Sequence, residues 1–480
     1  MSSSAERRLG DRIARDMYRD PDYLDDPILV DYVLGIWQPL LAAARARGDL
    51  SPELQERFAW EIMLGRDRTV NAFALPGGYF GVHLGLLAVV GSADELASVL
   101  GHELSHVTQR HISRLIARQG QQAPWLLGAL ILGALAASKS PDAANALIVG
   151  GQAASAQGQL NFSRDMEREA DRVGYGIMTE AGFDPRGFVG MFDKLQQASR
   201  LNDNGAYPYL RSHPLTTERI ADMQSRQPMA GSVAPVPAPS LEHAMMAGRA
   251  RVLSNPGVDG LRGLVREADS WPVSATPATA ARQAGALYAG VLAAGRLRDD
   301  VAAGIHLDRL SALVSSDPVG TRLARWLRVE LSLLAGDWRS AQTQLDTRSA
   351  DDRDAVQMRR PELLLRGQLA LQSGQAAVWL ALTERLQLWV AQHPRDAQAW
   401  QLLASAYAAQ SQSLRALRAE AEARVAQLDP GAALDRIKAA QDLFRQGASL
   451  NPNADHIEAS IIDTRRRQLE SALREQALER

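Results

Sequence analysis

Cysteine is absent from the 480 residues, and this excludes a disulfide, a thiolate nucleophile and any Cys-built metal site. A metal, if one is held, must be held by histidine and carboxylate. Lysine is scarce too: Lys139, Lys194 and Lys438 are the only ones, so the 53 basic residues are nearly all arginine. No charge of one sign dominates, because 53 basic residues face 55 acidic ones for a formal net charge of −2. A chain this neutral has no global field for nucleic acid or an anionic membrane, so no nucleic-acid partner is expected. Long apolar runs are also missing. The longest covers residues 123–137, short of the ~20 needed to span a bilayer. No apolar run follows Arg7-Arg8, so no signal peptide is expected.

The chain is about three times as long as a ~150-residue domain, which predicts two or three domains. Residues 1–226 mix helical and strand-like patterns. Thr69 to Leu75 reads as a strand, broken at Pro76-Gly77-Gly78 and resumed at Tyr79-Phe80-Gly81-Val82, which predicts a hairpin or a strand with an exposed edge. Ser92-x-x-Glu95 has the form of a capping box, opening a helix with Leu96, Leu100, Leu104 and Val107 on one stripe. Residues 227–242 contain Pro228, Pro235, Pro237 and Pro239 and read as a semi-rigid linker.

Residues 243–480 are rich in Ala, Leu and Arg and helical in pattern. They also repeat. Leu292-Ala-Ala-Gly295, Leu333-Leu-Ala-Gly336, Leu371-Gln-Ser-Gly374 and Tyr407-Ala-Ala-Gln410 recur, each expected to end one helix before a turn into the next. Trp400-x-x-Leu403-x-x-x-Tyr407 and the later Asp429-Pro430 fit a tetratricopeptide (TPR) unit. Such an array presents a concave surface that holds protein or peptide.

The chemistry is expected at His102-Glu103-Leu104-Ser105-His106. On a helix, residues four apart share a face, so both imidazoles can reach one metal ion, with Glu103 beside a metal-bound water. The apolar stripe lies roughly opposite, so the helix is expected to pack by one side and offer metal on the other. Glu167 is the candidate third ligand. Asp171, one turn on, is placed to accept the distal N–H of a zinc histidine. Glu169 is expected on a solvated face. His111, five residues past His106, is expected to continue the same helix and rotate away from the metal.

Asn71-Ala-Phe-Ala-Leu-Pro-Gly-Gly78, His102-Glu-Leu-Ser-His106, Ser163-Arg-x-x-Glu167-x-x-Ala170-Asp171 and Ser212-His213-Pro214-x-Thr216-x-x-Arg219-Ile220 occur in that order. The set resembles the zinc endopeptidase family that includes HtpX and the CAAX prenyl proteases. The resemblance implies a mainly α chain: a zincin-type α+β metallopeptidase domain with a small β-sheet over 1–226, then the TPR-like domain. It implies one Zn2+ on His102, His106 and Glu167, with Glu103 as general base. The edge strand Asn71, Ala72, Phe73 and Ala74 is expected to take substrate backbone. His213 is open between an oxyanion stabiliser and a fourth zinc ligand that holds the enzyme latent. Arg219 is open between orienting a carboxylate and a surface salt bridge. Among such proteases, the added repeat domain points to the periplasm and to protein substrates and outer-membrane assembly machinery as partners. The apolar stretches within 123–156 are either a buried core hairpin or a lobe touching the membrane surface or partner proteins.

Overall fold

The computed structural model describes residues 1–119, 164–200, 206–227, 239–272, 276, 279–347, 358–446 and 452–478. The expectations for 123–156, for Ser163 and for most of 227–242 fall outside the described residues.

Two compact units are present, Met1–Ala324 and Arg325–Arg480. The first opens with α1 (Ser3–Tyr18), the two-residue β1 (Tyr23–Leu24), α2 (Pro27–Ala46) and α3 (Pro52–Arg57). Next come β2 (Glu61–Gly65), β3 (Ala72–Leu75), β4 (Tyr79–His83), α4 (Leu84–Val89), α5 (Ala93–Thr108) and α6 (His111–Gln119). The four strands make one sheet in the order β1-β2-β4-β3, with β2 and β4 parallel and β3 and β4 antiparallel. The β3–β4 hairpin turns at Pro76-Gly77-Gly78, where Gly77 and Gly78 have φ of 73° and 80°. Those are left-handed values that disfavour a side chain. β3 is the terminal strand, as the sequence predicts for the region before Pro-Gly-Gly.

Among the described residues α2 is long and apolar enough to cross a bilayer by length and composition alone. It is a core helix instead: Ile28, Leu29, Val33, Trp37 and Leu40 are buried. Against this core stand α5 and, further along the chain, α7 (Arg164–Glu180), α8 (Arg186–Arg200), α9 (Tyr209–Ser212) and α10 (Thr217–Ser225).

The same unit continues through α11 (Leu241–Leu253), α12 (Gly257–Ser270), α13 (Ala280–Leu297) and α14 (Asp300–Leu313). α11 is tied inward by polar contacts of two of its side chains. Arg249 donates to both carboxylate oxygens of Asp26 at 2.8 and 2.7 Å, and His243 Nδ1 lies 2.5 Å from the Tyr32 hydroxyl. The boundary between units falls inside α15 (Pro318–Leu334). The second unit then runs through α16 (Trp338–Asp346), α17 (Arg360–Ser373), α18 (Ala376–Gln392), α19 (Ala397–Ala409), α20 (Ser413–Ala426), α21 (Pro430–Arg445) and α22 (Pro452–Leu478).

The repeated tetrapeptides fall at helix ends. Gly374 caps α17 with φ 62°, Gly336 follows α15 with φ 79°, and Gln410 closes α19 just before Ser411 at φ 57°. In the first unit of the series the turn lies three residues later than Gly295, at Arg298 with φ 62°. Trp379, Leu386, Leu403 and Tyr407 share one buried cluster, and Asp429-Pro430 starts α21.

Candidate metal centre

α5 carries His102, Glu103 and His106. Its first turn is fixed by Ser92, whose hydroxyl accepts the Glu95 N–H at 3.2 Å. Glu95 reaches back to the Gly91 N–H at 2.6 Å, one residue before the position a capping box prescribes, and also takes Lys194 at 2.6 Å. The helix is buried on every side from Leu96 to Thr108, rather than along one stripe. The metal face is covered as well.

What covers it is α7 and the segment around α9. α7 approaches closely because Gly174 meets Gly101: a Cβ on Gly174 would stand 2.9 Å from the Gly101 carbonyl group and the His102 nitrogen. The glycine contact brings the α7 carboxylates within reach of the α5 histidines. Glu167 Oε2 is 3.5 Å from His102 Nε2, and Glu167 Oε1 is 3.5 Å from His106 Nε2. His213, the residue that ends α9, brings Nδ1 to 3.0 Å from Glu167 Oε1 and 3.3 Å from His102 Nε2. The two Nε2 atoms of His102 and His106 are 3.0 Å apart. One ligand atom from each of these four residues lies within 4.8 Å of all the others.

Such a set fits zinc. A tetrahedron with bonds of about 2.05 Å has edges of about 3.3 Å, and the separations above run from 3.0 to 3.5 Å. The donors are two or three imidazoles and a carboxylate, the types zinc takes when thiolates are absent. Glu103 adds a second sign. It is 1% exposed, and neither of its carboxylate oxygens has a hydrogen-bond partner among the described residues; His213 Nε2 is 3.4 Å from Oε1. A buried carboxylate that lacks a hydrogen bond beside a ligand cluster is costly unless it serves the chemistry there.

Around the four sits a charged scaffold. Asp171 Oδ1 takes His102 Nδ1–H at 2.9 Å. Arg219 donates to both oxygens of Asp171 at 2.7 and 2.8 Å, reaches Glu167 Oε2 at 2.9 Å, and holds the Pro214 carbonyl at 2.9 Å. Arg219 is therefore a buried orienting group, not a surface pair. Burial alone would raise both carboxylates, but His213 and His102 hold Glu167 well below its ordinary value, and Arg219 then His102 lower Asp171. Burial would lower His102, yet Asp171 and Glu167 push it up to about 9. Glu103 is raised by burial, partly offset by His213 and His102.

The sequence profile of peptidase family M48 matches residues 44–227, the stretch that carries every one of these groups. This stretch is an M48 domain. The chain is similar to the beta-barrel assembly-enhancing protease of Escherichia coli strain K12, at 31% identity over 230 residues, covering 47% of this chain and 44% of that one. The Yersinia pestis protein of the same name is 32% identical over 263 residues, 54% of this chain and 50% of its own. The mitochondrial metalloendopeptidase OMA1 of Arabidopsis thaliana is 33% identical over 164 residues, 34% and 31% of the two chains. The chain thus spans about half or less of the length of the curated relatives it matches.

Within the M48 domain two residues set aside on sequence grounds stand close to the centre. His111 is buried, and its Nδ1 is 2.9 Å from His106 Nδ1. The reason is a backbone turn. α5 stops at Thr108, Arg110 adopts φ 55°, and the chain folds back so that His111 faces His106 instead of riding on round the helix. Arg110 is not a glycine, so no local signal announced this left-handed residue. Glu169 is half-exposed but turns its Oε2 to His111 Nε2 at 3.1 Å. Burial pushes His111 down to about 4, against the pull of Glu169. By contrast His83 has its Nδ1 2.9 Å from the Thr69 hydroxyl.

Proposed function

We propose that this chain is a zinc-dependent endopeptidase with Zn2+ on His102, His106 and Glu167. Its helical C-terminal region, 243–480, is read as a TPR-like platform for protein partners. The observation that carries the reading is the convergence of these donors beside the buried carboxylate of Glu103, which has no hydrogen bond among the described residues. Bound zinc supplies a Lewis acid that polarises the scissile carbonyl and acidifies the attacking water. Glu103 then takes the water's proton at a carboxylate oxygen and returns it to the leaving amine; its raised proton affinity suits both transfers. Asp171, held by Arg219, keeps the His102 proton on Nδ1 and so leaves Nε2 free to ligate.

Substrate is read as adding a strand to β3. His83 N–H bonds the Asn71 carbonyl at 3.0 Å, and Ala72 pairs with Val82 in register. In an antiparallel ladder the bonding direction alternates, so Asn71 and Phe73 bond inward and Ala72 and Ala74 turn their main-chain groups outward. Main-chain pairing reads extended polypeptide more than sequence, which suits misfolded protein. The names of the Escherichia coli and Yersinia pestis relatives concern β-barrel assembly. They support a role in the periplasm, degrading misfolded outer-membrane proteins and assisting the assembly of others.

One observation favours a second reading, a non-proteolytic chaperone with a closed zinc site: His213 Nδ1 stands among the ligand atoms and supports the fourth-ligand role over the oxyanion role. Against it stands Glu103, since a structural site needs no general base. Casein degradation separates the two. The wild type is expected to degrade casein, and a chelator to stop it. Glu103→Gln should keep one zinc per chain and lose activity about 10²–10⁴-fold. His213→Ala should keep zinc and raise activity. No casein degradation by either the wild type or His213→Ala, with zinc bound, would establish the closed-site reading instead.

A further inference from the structure

His102 has an outer partner in Asp171; His106 has one too, built from a different pair. Two ring nitrogens 2.9 Å apart can bond only if one carries a proton and the other does not. If His106 offers its bare Nε2 to a cation, its proton is on Nδ1 and is donated to Nδ1 of His111. The His111 proton must then sit on Nε2, where Glu169 Oε2 waits 3.1 Å away as an acceptor. Arg114 Nη1, 2.8 Å from the same oxygen, holds that carboxylate in place. Every group in the line has its tautomer set by its neighbour, and the order of donors runs without conflict from His106 to Glu169.

We propose that His111 and Glu169 are positioning residues that fix the proton of His106 on Nδ1 and thereby raise the affinity of the site for zinc. This rests on the zinc reading given above. The two outer arms differ in kind. The Asp171 arm is one carboxylate long and wholly buried, braced by buried Arg219. The His111 arm interposes a buried imidazole and ends on a carboxylate that is 37% exposed beside Arg114. The inner metal face is thus coupled to a surface ion pair through one ring. Neither residue is among the clustered ligand atoms, so their effect runs through the affinity of His106.

Zinc affinity of the full chain, measured by competition with a chromogenic chelator at fixed pH, tests this. His111→Phe keeps the ring volume and removes the acceptor; it is expected to weaken zinc about 10–100-fold, the scale of a lost outer-shell partner. His111→Asn sets a carboxamide oxygen near the Nδ1 position and should recover most of that loss, which a purely space-filling role for the ring would not produce. Glu169→Ala should weaken zinc by about tenfold. Equal affinity in the wild type and His111→Phe overturns the proposal, as does a failure of Asn to do better than Phe. If Phe is not accommodated, shown by a collapsed melting midpoint in the metal-free protein, Glu169→Ala decides, and unchanged affinity there overturns it. A wild type that binds no zinc sinks the metallopeptidase reading and this arm together. Zinc held equally well by all variants sinks the arm alone.

Discussion

Around His102 the interior of the first unit is made of ionisable groups: His102, Glu103, His106, Glu167, Asp171, His213 and Arg219 are all at most 3% exposed. Around Leu386 the interior of the second unit is Leu363, Trp379, Leu382, Leu403, Tyr407 and a series of alanines. Burying an unpaired charge costs several kcal/mol, so the first arrangement persists only because nearly every member has a partner and the helices carrying them are held in register. The second needs only filled volume. Function in the first unit therefore depends on helix placement to a few tenths of an ångström, while the second tolerates exchange of one aliphatic shape for another.

The largest stability effect should come from the aliphatic core, with no effect on the metal. Leu386→Ala removes a side chain with no exposed surface and should cost about 2–5 kcal/mol in chemical denaturation. Zinc content should stay at one per chain. If zinc is lost in that variant, the two interiors are not separable in the way described.

Gly174→Ala should give the reverse pattern. The added Cβ would press on the Gly101 backbone at 2.9 Å, and backbone cannot swing aside as a side chain can. Overpacking of this size costs about 1–3 kcal/mol, less than the leucine truncation. Yet it moves α7, with Glu167 and Asp171, away from α5. Zinc affinity should fall by about tenfold or more, as when outer-shell order is lost. An unchanged zinc affinity would show that the glycine contact does not set the site.

The same contrast explains what could be read in the sequence. His102 and His106 were legible because helical periodicity alone puts residues four apart on one face, and Glu167 with Asp171 for the same reason. The β3 edge was legible from Pro76-Gly77-Gly78. Family likeness, not periodicity, joined the two helices and brought in His213. The buried role of Arg219 is not legible, because a lone arginine on a helix reads equally as surface. His111 departs from its expected place because one left-handed residue, Arg110, ends a helix that composition would continue, whereas Glu169 keeps the solvent exposure expected of it and meets His111 from there. In the repeat region the turns were legible from Gly336 and Gly374, which take the left-handed conformation that glycine permits, whereas the turn at Arg298 lies three residues beyond its expected place.

The smallest effect concerns a charge that the second unit does bury. Asp396 begins α19, accepting the Ala399 N–H at 3.1 Å, and also takes Arg360 at 2.8 and 3.0 Å and the Trp389 indole at 2.8 Å. Burial pushes its proton affinity up, but Arg360 and then Trp389 outweigh this and leave it below the ordinary aspartate value. A folded pKa below the unfolded one, about 3.9, means stability that is complete above that value and lost as pH falls through the folded one. Asp396→Asn keeps the cap and drops the charge. It should cost about 1.5 kcal/mol at pH 7, typical of a hydrogen bond to a charged group. The gap in melting temperature between the wild type and Asp396→Asn should hold down to about pH 5 and close progressively below it. No gap at pH 7 would mean that the ion pair contributes nothing, and that in this unit, unlike around His102, the carboxylate serves only as a helix cap, which asparagine keeps.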